Sequence, residues 1–320
     1  MENRIKLFKP FYILRGVEIN LYNEFYSLVK QIPKGRVTTY GDLALALGDI
    51  VASRAVGKML SENPKPMEIP CHRVVMSDGS LGGFTHPEGI IKKIEILRNE
   101  GVEIINGKIK DFAKIRFNDF KSNYPLKKLR EEEENIKKKI FLNDRDFDKI
   151  VAIDVSYEGR NAFISSIVVD RNFSLLKKYV KITNVDFPYI PTYLSYREGR
   201  AIIRTIDEDA LYVLDGQGIL HPRGIGLATY VGILKNVPSL GIAKSRLVGE
   251  IIEGRIYLNG LQVGWKIGKY HISPGNLISL EKSMELGKDI IKSGILNMAH
   301  NLATRSRNQY SSSNNGGPFP

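Results

Sequence analysis

Cys71 is the only cysteine among the 320 residues, and this limits what can hold the chain together. A disulfide within the chain needs a second cysteine, and a cysteine-rich zinc site needs several. The chain must therefore fold around a hydrophobic core, with Cys71 either as an inert core thiol or as a nucleophile. Pro70 and His72 on either side favour a positioned thiolate, because the reactive form needs donors or positive charge nearby.

Two short helical patterns lie upstream of Cys71. An alanine- and leucine-rich segment from Asp42 to Leu47 is followed by Gly48-Asp49 and by a second pattern from near Ala52. Helices joined by a tight glycine turn predict a helix-turn-helix whose second helix enters a DNA groove. That helix carries Arg54 among small residues, which permits close approach to DNA. Small residues that only let helices pack tightly are an equally open alternative.

Further motifs accompany Cys71 at characteristic positions: Thr39-Tyr40-Gly41, Ser53-Arg54-Ala55-Val56-Gly57, Asn63-Pro64, Ile69-Pro70-Cys71-His72-Arg73-Val74-Val75, Gly82-Gly83-Phe84 and Glu100-Gly101. Together they make residues 18–105 resemble the DNA-binding domain of O6-alkylguanine-DNA alkyltransferases. The resemblance implies that Cys71 takes the alkyl group from guanine O6. It also implies that His72 removes the thiol proton through a water and that Glu100 orients the imidazole. No cofactor is implied for alkyl transfer, and the stable thioether makes each molecule act once.

The same resemblance implies a set of DNA contacts. Arg54 fills the gap left by the flipped nucleotide, and Tyr40 presses on the neighbouring phosphate. Asn63 braces the loop that presents the cysteine, and Arg73 is expected to contact DNA. Phe84 forms one wall of the base pocket, where the family often has tyrosine, so that the apolar wall is kept and a hydroxyl contact is lost.

Two apolar runs in the second half of the chain each contain an acid near their end. Residues 149–156 include Asp154, and residues 210–218 include Asp215. Such runs predict buried strands, the first paired with residues 162–169 as a hairpin. Two such strands place carboxylates side by side, and a divalent cation relieves their repulsion. Oxygen ligands suit Mg²⁺ or Mn²⁺. Alternatively, each aspartate begins a turn or caps a helix.

Between these runs lies a segment with two prolines, residues 188–198. The prolines predict a stiff loop with Tyr189 and Ile190 at its tip. An aromatic side chain on a rigid loop is able to wedge into a base stack. The alternative is a loop anchored in the core by its tyrosines. Glu198 follows near a helix start, where it would complete a carboxylate cluster.

These segments and three others form a second set of motifs: Asp154-Val155-Ser156, residues 188–198, residues 215–223, Gly241-Ile242-Ala243-Lys244-Ser245 and Ser273-Pro274-Gly275. Together they make residues 126–302 resemble endonuclease V. The resemblance implies a ribonuclease-H-like mixed sheet flanked by helices and a cut at the second phosphodiester 3′ to hypoxanthine.

The second resemblance also assigns site residues. Asp154, Glu198 and Asp215 hold Mg²⁺, for which Mn²⁺ substitutes, and the ion activates the attacking water. Lys244 lies beside the scissile phosphate. The residues implied to contact DNA or to support the site are Tyr189 and Ile190 in the wedge, together with His221 and Arg223.

One position departs from this second pattern. After Ser273-Pro274-Gly275 the family commonly has a histidine near the metal, and here Asn276 follows. Asparagine hydrogen-bonds a metal-bound water but cannot accept and return a proton. His271 is a possible substitute, although strand alternation leaves its direction open. Slow cleavage, or an altered preference for metal or pH, is the expected consequence.

The whole chain is predicted to have two domains, an α+β helix-turn-helix (winged-helix-like) domain over 1–108 and an α/β domain over 126–305. Residues 109–125 are expected to be a linker and residues 306–320 a disordered tail. The net charge of +12 is shared by both halves, as in proteins that bind phosphates. No apolar run is long enough to cross a membrane. We expect a cytoplasmic monomer that repairs double-stranded DNA bearing O6-alkylguanine or deoxyinosine. The alternative is a protein in which one half only recognises lesions.

Overall fold

The computed structural model describes residues 19–66 and 68–314. The first part is mainly helical, with two small strand pairs. Its elements are α1 (Leu21–Val29), β1 (Thr38–Thr39), α2 (Tyr40–Leu47), α3 (Ser53–Ser61), β2 (Val74–Val75), α4 (Gly89–Asn99), β3 (Ile104–Ile105), β4 (Lys108–Ile109) and α5 (Phe112–Ile115). In the described residues, no helix is both long enough and apolar enough to cross a membrane.

The predicted helix-turn-helix is confirmed as α2 and α3, and local chemistry sets its limits. The Thr39 hydroxyl accepts from the Asp42 backbone N–H, and the Asp42 carboxylate accepts in return from Thr39, which begins α2 with a capping box. Gly48 ends α2 at a φ of 106°. Only glycine fits there, since the conformation is left-handed and a Cβ would lie 2.8 Å from the backbone N of Lys127.

The second part is built on one large sheet with helices packed against it. Its elements are α6 (Pro125–Lys137), β5 (Lys149–Glu158), β6 (Asn161–Asp170), β7 (Leu175–Asn184), α7 (Arg200–Thr205), β8 (Leu211–Leu214), α8 (Leu227–Lys235), β9 (Ser239–Ala243), β10 (Glu250–Ile252), β11 (Arg255–Leu258), β12 (Leu261–Ile267), β13 (Tyr270–Asn276), α9 (Leu280–Ser293) and α10 (Ile295–Asn314).

The nine strands run in the order β10-β11-β12-β13-β9-β8-β5-β6-β7. Strands β5, β8 and β9 are parallel neighbours, and the other pairs are antiparallel. The predicted mixed sheet flanked by helices is therefore confirmed, and so is the predicted β5–β6 hairpin. Because parallel strands end at the same edge, the residues that follow β8 and β9 lie near the acidic end of β5.

The two parts are joined through a common core. One cluster of buried apolar side chains includes Phe25 and Leu43 from the first part and Tyr196 and Tyr230 from the second. A polar cluster at the junction adds specific contacts around Asp49. The Asp49 carboxylate accepts from the Tyr193 hydroxyl at 2.8 Å and forms an ion pair with Arg130. Such an interface fixes the two halves relative to each other.

Two predicted boundaries differ from the structure. The expected linker, residues 109–125, is packed rather than free: Arg116 binds the Asp42 carboxylate through two hydrogen bonds of 2.9 and 2.6 Å. The expected disordered tail, 306–320, is helical as far as the end of α10, because Tyr310 packs edge-on against Phe163. A polar composition does not prevent a helix when one face of it finds a partner. Residues 315–320 lie outside the described part.

Candidate active sites

Cys71 begins a single 3₁₀ turn, Cys71–Arg73, immediately before β2. The thiol side chain is 6% exposed. The turn is held from behind by Asn63, whose amide donates to the Ile69 carbonyl at 2.9 Å, while the Cys71 backbone N–H donates to the same carbonyl at 2.7 Å. Asn63 therefore lies where it was predicted to brace the cysteine loop.

His72 and Glu100 are brought together as the sequence predicted. His72 Nε2 lies 3.1 Å from Glu100 Oε1, and Arg73 binds both carboxylate oxygens at 2.8 and 2.5 Å. Burial alone would raise the pKa of Glu100, but hydrogen bonds and charges from Arg73 and His72 hold it below its usual value. An ionised Glu100 accepts a hydrogen bond, so the imidazole proton is assigned to Nε2 and the lone pair to Nδ1.

Burial lowers the pKa of His72 despite the opposing effect of Glu100, so the ring is neutral near pH 7. A neutral, oriented imidazole with a free Nδ1 is able to accept a proton. Arg73 itself was predicted to contact DNA. Its guanidinium instead binds Glu100 and the Ile32 carbonyl, the latter at 2.7 Å, so it supports the site from inside the protein.

Lys93 is a residue of this site that the sequence analysis missed. Its ammonium is completely buried and donates to the carbonyls of Val74, Leu81 and Gly83 at 2.6, 2.5 and 3.3 Å. These carbonyls belong to β2 and to the predicted pocket wall. Burial lowers the pKa of Lys93 to about 8, opposed by the charge of the Cys71 thiolate. Its position on α4 gives no sequence signal, because amphipathic helices commonly carry lysine.

The other residues predicted to contact DNA in this half are arranged around Cys71. Arg54 is exposed on α3. Tyr40 begins α2, and its pKa is raised by burial and by the nearby Cys71. Phe84 is partly exposed and stacks on the ring of His86 at a centroid distance of 6.0 Å. The structure thus places an apolar wall beside the thiol.

Asp154 and Asp215 form the centre of the second site. Ile153 of β5 is in register with Leu214 of β8, so the next residue of each strand is an aspartate at the same edge of the sheet. Glu198 lies on a π-helical turn, Ser195–Gly199, that leads into α7. The three predicted carboxylates therefore converge from two strands and one helix.

The electrostatics of these acids reflect their closeness. Burial raises the pKa of Asp154, and the neighbouring Asp215 raises it further. Burial also raises the pKa of Glu198 to about 8, with the Asp154 charge as the next cause. Like charges in a buried site resist ionising together, and positive charge at the site removes that penalty.

Two cationic or potentially cationic side chains contact this acidic site. Lys244 follows β9, and its Nζ lies 3.3 Å from Asp215 Oδ2. Its predicted position beside the scissile phosphate stays a prediction. His300 of α10 lies with Nδ1 3.1 Å from Asp154 Oδ2, and the sequence analysis missed it. The two residues are 146 positions apart, and only the packing of α10 on β5 brings them together.

The spacing and the chemistry of these three carboxylates decide whether they suit a metal ion. Among residues 19–66 and 68–314, no group of three or more His, Cys, Asp or Glu side chains is gathered closely enough to enclose an ion. Lys244 and His300 occupy one oxygen each of Asp215 and Asp154. The donor set still fits a hard divalent cation, since it consists of carboxylate oxygens, and burial and neighbouring negative charge raise the pKa values of Asp154 and Glu198.

The residues of the predicted wedge divide into an exposed tip and an anchor. Tyr189 is 64% exposed, whereas Ile190 is 1% exposed and belongs to the core. Ile190 therefore does not lie at the tip, although the sequence predicted that it would. It anchors the loop in the core, while Tyr189 beside it stays exposed. The sequence left open a protruding aromatic wedge and a loop anchored in the core by its tyrosines. Both descriptions apply in part, since Tyr189 protrudes and Tyr193 lies in the core.

His221 and Arg223 were predicted to support the site and the DNA backbone. Arg223 pairs with buried Glu133 of α6 and donates to the Thr192 hydroxyl at 2.8 Å. His221 is buried, which lowers its pKa to about 3, with the Arg223 charge as a second cause. Both side chains thus brace the wedge loop through Thr192, and their contact with DNA stays a prediction.

Asn276, the departure noted in the sequence, is buried at the end of β13. Its side-chain oxygen Oδ1 accepts from the Phe141 backbone N–H at 3.1 Å, and its side-chain nitrogen Nδ2 donates to the Gly232 carbonyl at 3.3 Å. Both polar ends are occupied by backbone, so Asn276 has a structural role. His271, the proposed substitute, is buried with Nδ1 unpaired among the described groups.

Family models match both halves of the chain. The model described as endonuclease V matches residues 131–298, and the one described as 6-O-methylguanine DNA methyltransferase, DNA binding domain, matches residues 20–102. The second part is similar in fold to the catalytic domain of human endonuclease V, at a TM-score of 0.52 and 17% identity over 59% of this chain and 98% of that one. Bacillus subtilis endonuclease V gives a TM-score of 0.51 and 21% identity over 59% and 94%.

The chain thus combines an alkyltransferase DNA-binding domain with an endonuclease V domain, the class of a two-domain DNA-repair enzyme. It is 49% identical to the bifunctional methyltransferase/endonuclease of Picrophilus torridus over 88% of this chain and 95% of that one. It is 42% identical to the protein of the same description from Thermoplasma volcanium, over 88% and 89%. The chain therefore belongs to the bifunctional methyltransferase/endonuclease family.

Proposed function

We propose that the first half transfers alkyl groups from O6-alkylguanine in duplex DNA to Cys71, once per molecule. The observation that carries this proposal is the chain of contacts from His72 through Glu100 to Arg73, next to the only thiol. The thiol proton passes through a water to Nδ1 of neutral His72. The sulfur then forms a bond to the alkyl carbon as the bond from that carbon to O6 breaks, and the guanine leaves as an anion that takes up one proton from water to become neutral guanine.

Three further residues prepare this reaction. Lys93 stabilises the thiolate by its charge and holds the pocket wall through three carbonyls. Arg54 takes the place of the flipped nucleotide, and Tyr40 presses on the adjacent phosphate. Because the thioether product has no route back to the thiol, the protein is consumed by the reaction.

We propose that the second half cleaves DNA on the 3′ side of deoxyinosine, at the second phosphodiester. The carrying observation is the pair Asp154 and Asp215 at one edge of the sheet, with Glu198 beside them. These acids would hold Mg²⁺, or Mn²⁺ in its place, through the carboxylate oxygens that Lys244 and His300 do not contact. A bound divalent ion supplies a polarised phosphate oxygen and an acidified water. Lys244 then offsets charge on the scissile phosphate, while Tyr189 separates the bases.

A pair of substitutions tests both proposals in one experiment. Cys71→Ala should abolish methyl transfer from an O6-methylguanine duplex and leave nicking of a deoxyinosine duplex intact. Asp215→Ala should have the opposite pattern, with nicking lost. Persistent transfer by the first variant would refute the nucleophile, and unchanged nicking by the second would refute the metal role of Asp215.

A second candidate for the nuclease half is lesion recognition without cleavage. Asn276 favours it, because its polar atoms are both bound to backbone and cannot move a proton. Tight binding of deoxyinosine without a nick in either Mg²⁺ or Mn²⁺ would select this candidate.

A further inference from the structure

A cavity of about 320 Å³ lies between the two halves of the protein, and each half contributes a DNA-handling residue to its wall. Arg54 lines it from α3, and Tyr189 lines it from the wedge loop. Both side chains are exposed. The side chain proposed to replace a flipped nucleotide and the one proposed to separate bases therefore face the same space. We call this space the junction cleft.

Among the charged side chains in the described wall of the junction cleft, basic ones outnumber acidic ones. Lys58 of α3 is exposed, and Arg160 of the β5–β6 turn lies 4.2 Å above the ring of Tyr22 and 3.2 Å from Asp186. Glu62, an acid in this wall, is bound by Lys58 at 2.9 Å. An excess of guanidinium and ammonium groups on an exposed surface attracts the phosphates of DNA. The wall thus suits a nucleic acid backbone from both sides.

The width of the junction cleft is fixed by the contacts behind it. Asp49 binds Arg130 and Tyr193 across the junction, and Arg130 also donates to the Gly48 carbonyl at 2.9 Å. The apolar core continues through the same region. Because packed interfaces of this kind do not deform continuously, the parts of the backbone that carry Arg54 and Tyr189 are held in place relative to each other.

We propose that the two halves share the rim of the junction cleft as one DNA-binding surface, so that a single duplex covers it and the two repair activities compete for DNA. This inference rests on the proposed function and adds to it the relation between the two sites. The major groove of B-DNA alone is about 12 Å wide, which is wider than a cavity of about 320 Å³, so a duplex that contacts Arg54 at this cavity also covers Tyr189. A duplex held by Arg54 therefore excludes a second duplex from Tyr189.

Competition between two lesions tests the proposal. The Cys71→Ala protein binds a fluorescent deoxyinosine duplex, and an unlabelled O6-methylguanine duplex is added, which this variant cannot consume. The expected result is full displacement, with an inhibition constant equal to the competitor's own dissociation constant and lower than that of an undamaged duplex. A complex that retains both duplexes at saturation would overturn the proposal.

The readout is anisotropy rather than nicking, so it tests the shared cleft even if the nuclease does not cut. Loss of nicking in the absence of competitor would instead count against the proposed function.

A substitution across the junction gives an independent test. Arg160 belongs to the second half and stacks on Tyr22 of the first, and Arg160→Ala should lower the salt slope of binding by about 1 for both damaged duplexes. The matched control is Arg171→Ala, since Arg171 lies in the same half but lines a different cavity and faces Asp146 and Asp148. The control should leave both slopes unchanged. An Arg160→Ala effect confined to the deoxyinosine duplex would overturn the shared cleft.

Discussion

At the scale of single residues, both sites depend on a buried charge that a neighbour compensates. Glu100 keeps its charge because Arg73 and His72 donate to it, and its role is to hold the His72 proton on Nε2. The buried Lys93 ammonium is stabilised by the three carbonyls that accept hydrogen bonds from it. Such groups cost free energy to bury, and their presence beside a thiol indicates that chemistry requires them.

Glu100→Gln should slow methyl transfer by about 100-fold, because His72 loses the anion that fixes its tautomer. Deoxyinosine nicking should be unaffected. The burial that lowers the pKa of His72 also predicts that the loss of wild-type transfer on acidification lies below the pH range in which a free histidine titrates. Single-turnover rates against pH measure both effects. The control is Glu103→Gln, an exposed acid paired with Lys110; equal losses in both variants would contradict the assignment.

Lys93→Met should slow transfer about tenfold, since the thiolate loses a neighbouring positive charge. It should also remove a pH dependence of stability. Folding lowers the pKa of Lys93 from 10.5 to about 8, so the unfolded chain binds more protons between these values. The unfolding free energy of the wild type should therefore rise relative to the variant by about 3 kcal/mol from pH 8 to 10.5. Urea unfolding at several pH values measures the difference, and a constant difference would argue against a buried ammonium.

At the scale of elements, the nuclease site shows what helix α10 adds to the sheet. Strands β5, β8 and β9 carry Asp154, Asp215 and Lys244 to one edge, and α10 brings His300 against Asp154. The position after Ser273-Pro274-Gly275, which the resemblance assigned to a histidine, holds Asn276 bound to backbone instead. The imidazole at this site therefore comes from a different element.

His300→Ala should reduce Mg²⁺-dependent nicking about tenfold, because a side chain that positions a metal-binding carboxylate is lost. Methyl transfer should not change. Asn301→Ala, an exposed neighbour on the same helix, is the control for effects on α10 itself. Nicking rates across a Mg²⁺ titration measure the effect, and equal rates for His300→Ala and wild type would show that His300 has no part in the site.

At the scale of the whole molecule, the two halves behave as one folded unit. The apolar core is continuous across the junction, and Asp49 binds Arg130 and Tyr193 from the other half. We therefore expect a single cooperative unfolding transition. Asp49→Ala should lower the unfolding free energy by about 1–3 kcal/mol, because buried Tyr193 and partly buried Arg130 lose their acceptor.

Calorimetry and the heat inactivation of each activity measure this prediction. Both activities should be lost together in Asp49→Ala. The control, Asp78→Ala, removes an exposed ion pair with Lys108 in the first half and should change stability much less than Asp49→Ala does, because solvent screens the pair. Two separate transitions in the wild type would contradict a common core.

Local sequence patterns were sufficient for much of the fold. The capping residues and Gly48 limit the helix-turn-helix, and apolar runs ending in acids place Asp154 and Asp215 together. Contacts between distant segments were not accessible in this way. His300 reaches Asp154 only through the packing of α10, and the direction of Arg223 depends on α6.

The same limit explains the incorrect expectations. The polar composition of the tail does not predict that Tyr310 packs against Phe163. The two prolines of the wedge loop do not predict that Ile190 points inward and Tyr189 outward. Tertiary packing decides both, because a helix or loop is stabilised by the surface it covers.

The most direct test of the proposed nuclease function is nicking of a deoxyinosine duplex by the intact protein in Mg²⁺, with and without EDTA. We expect a specific nick on the 3′ side of the lesion that EDTA abolishes, since Asp154, Glu198 and Asp215 need the ion to act together. Tight binding of the same duplex without a nick, in Mg²⁺ and in Mn²⁺, would contradict it and leave the second half as a recognition domain.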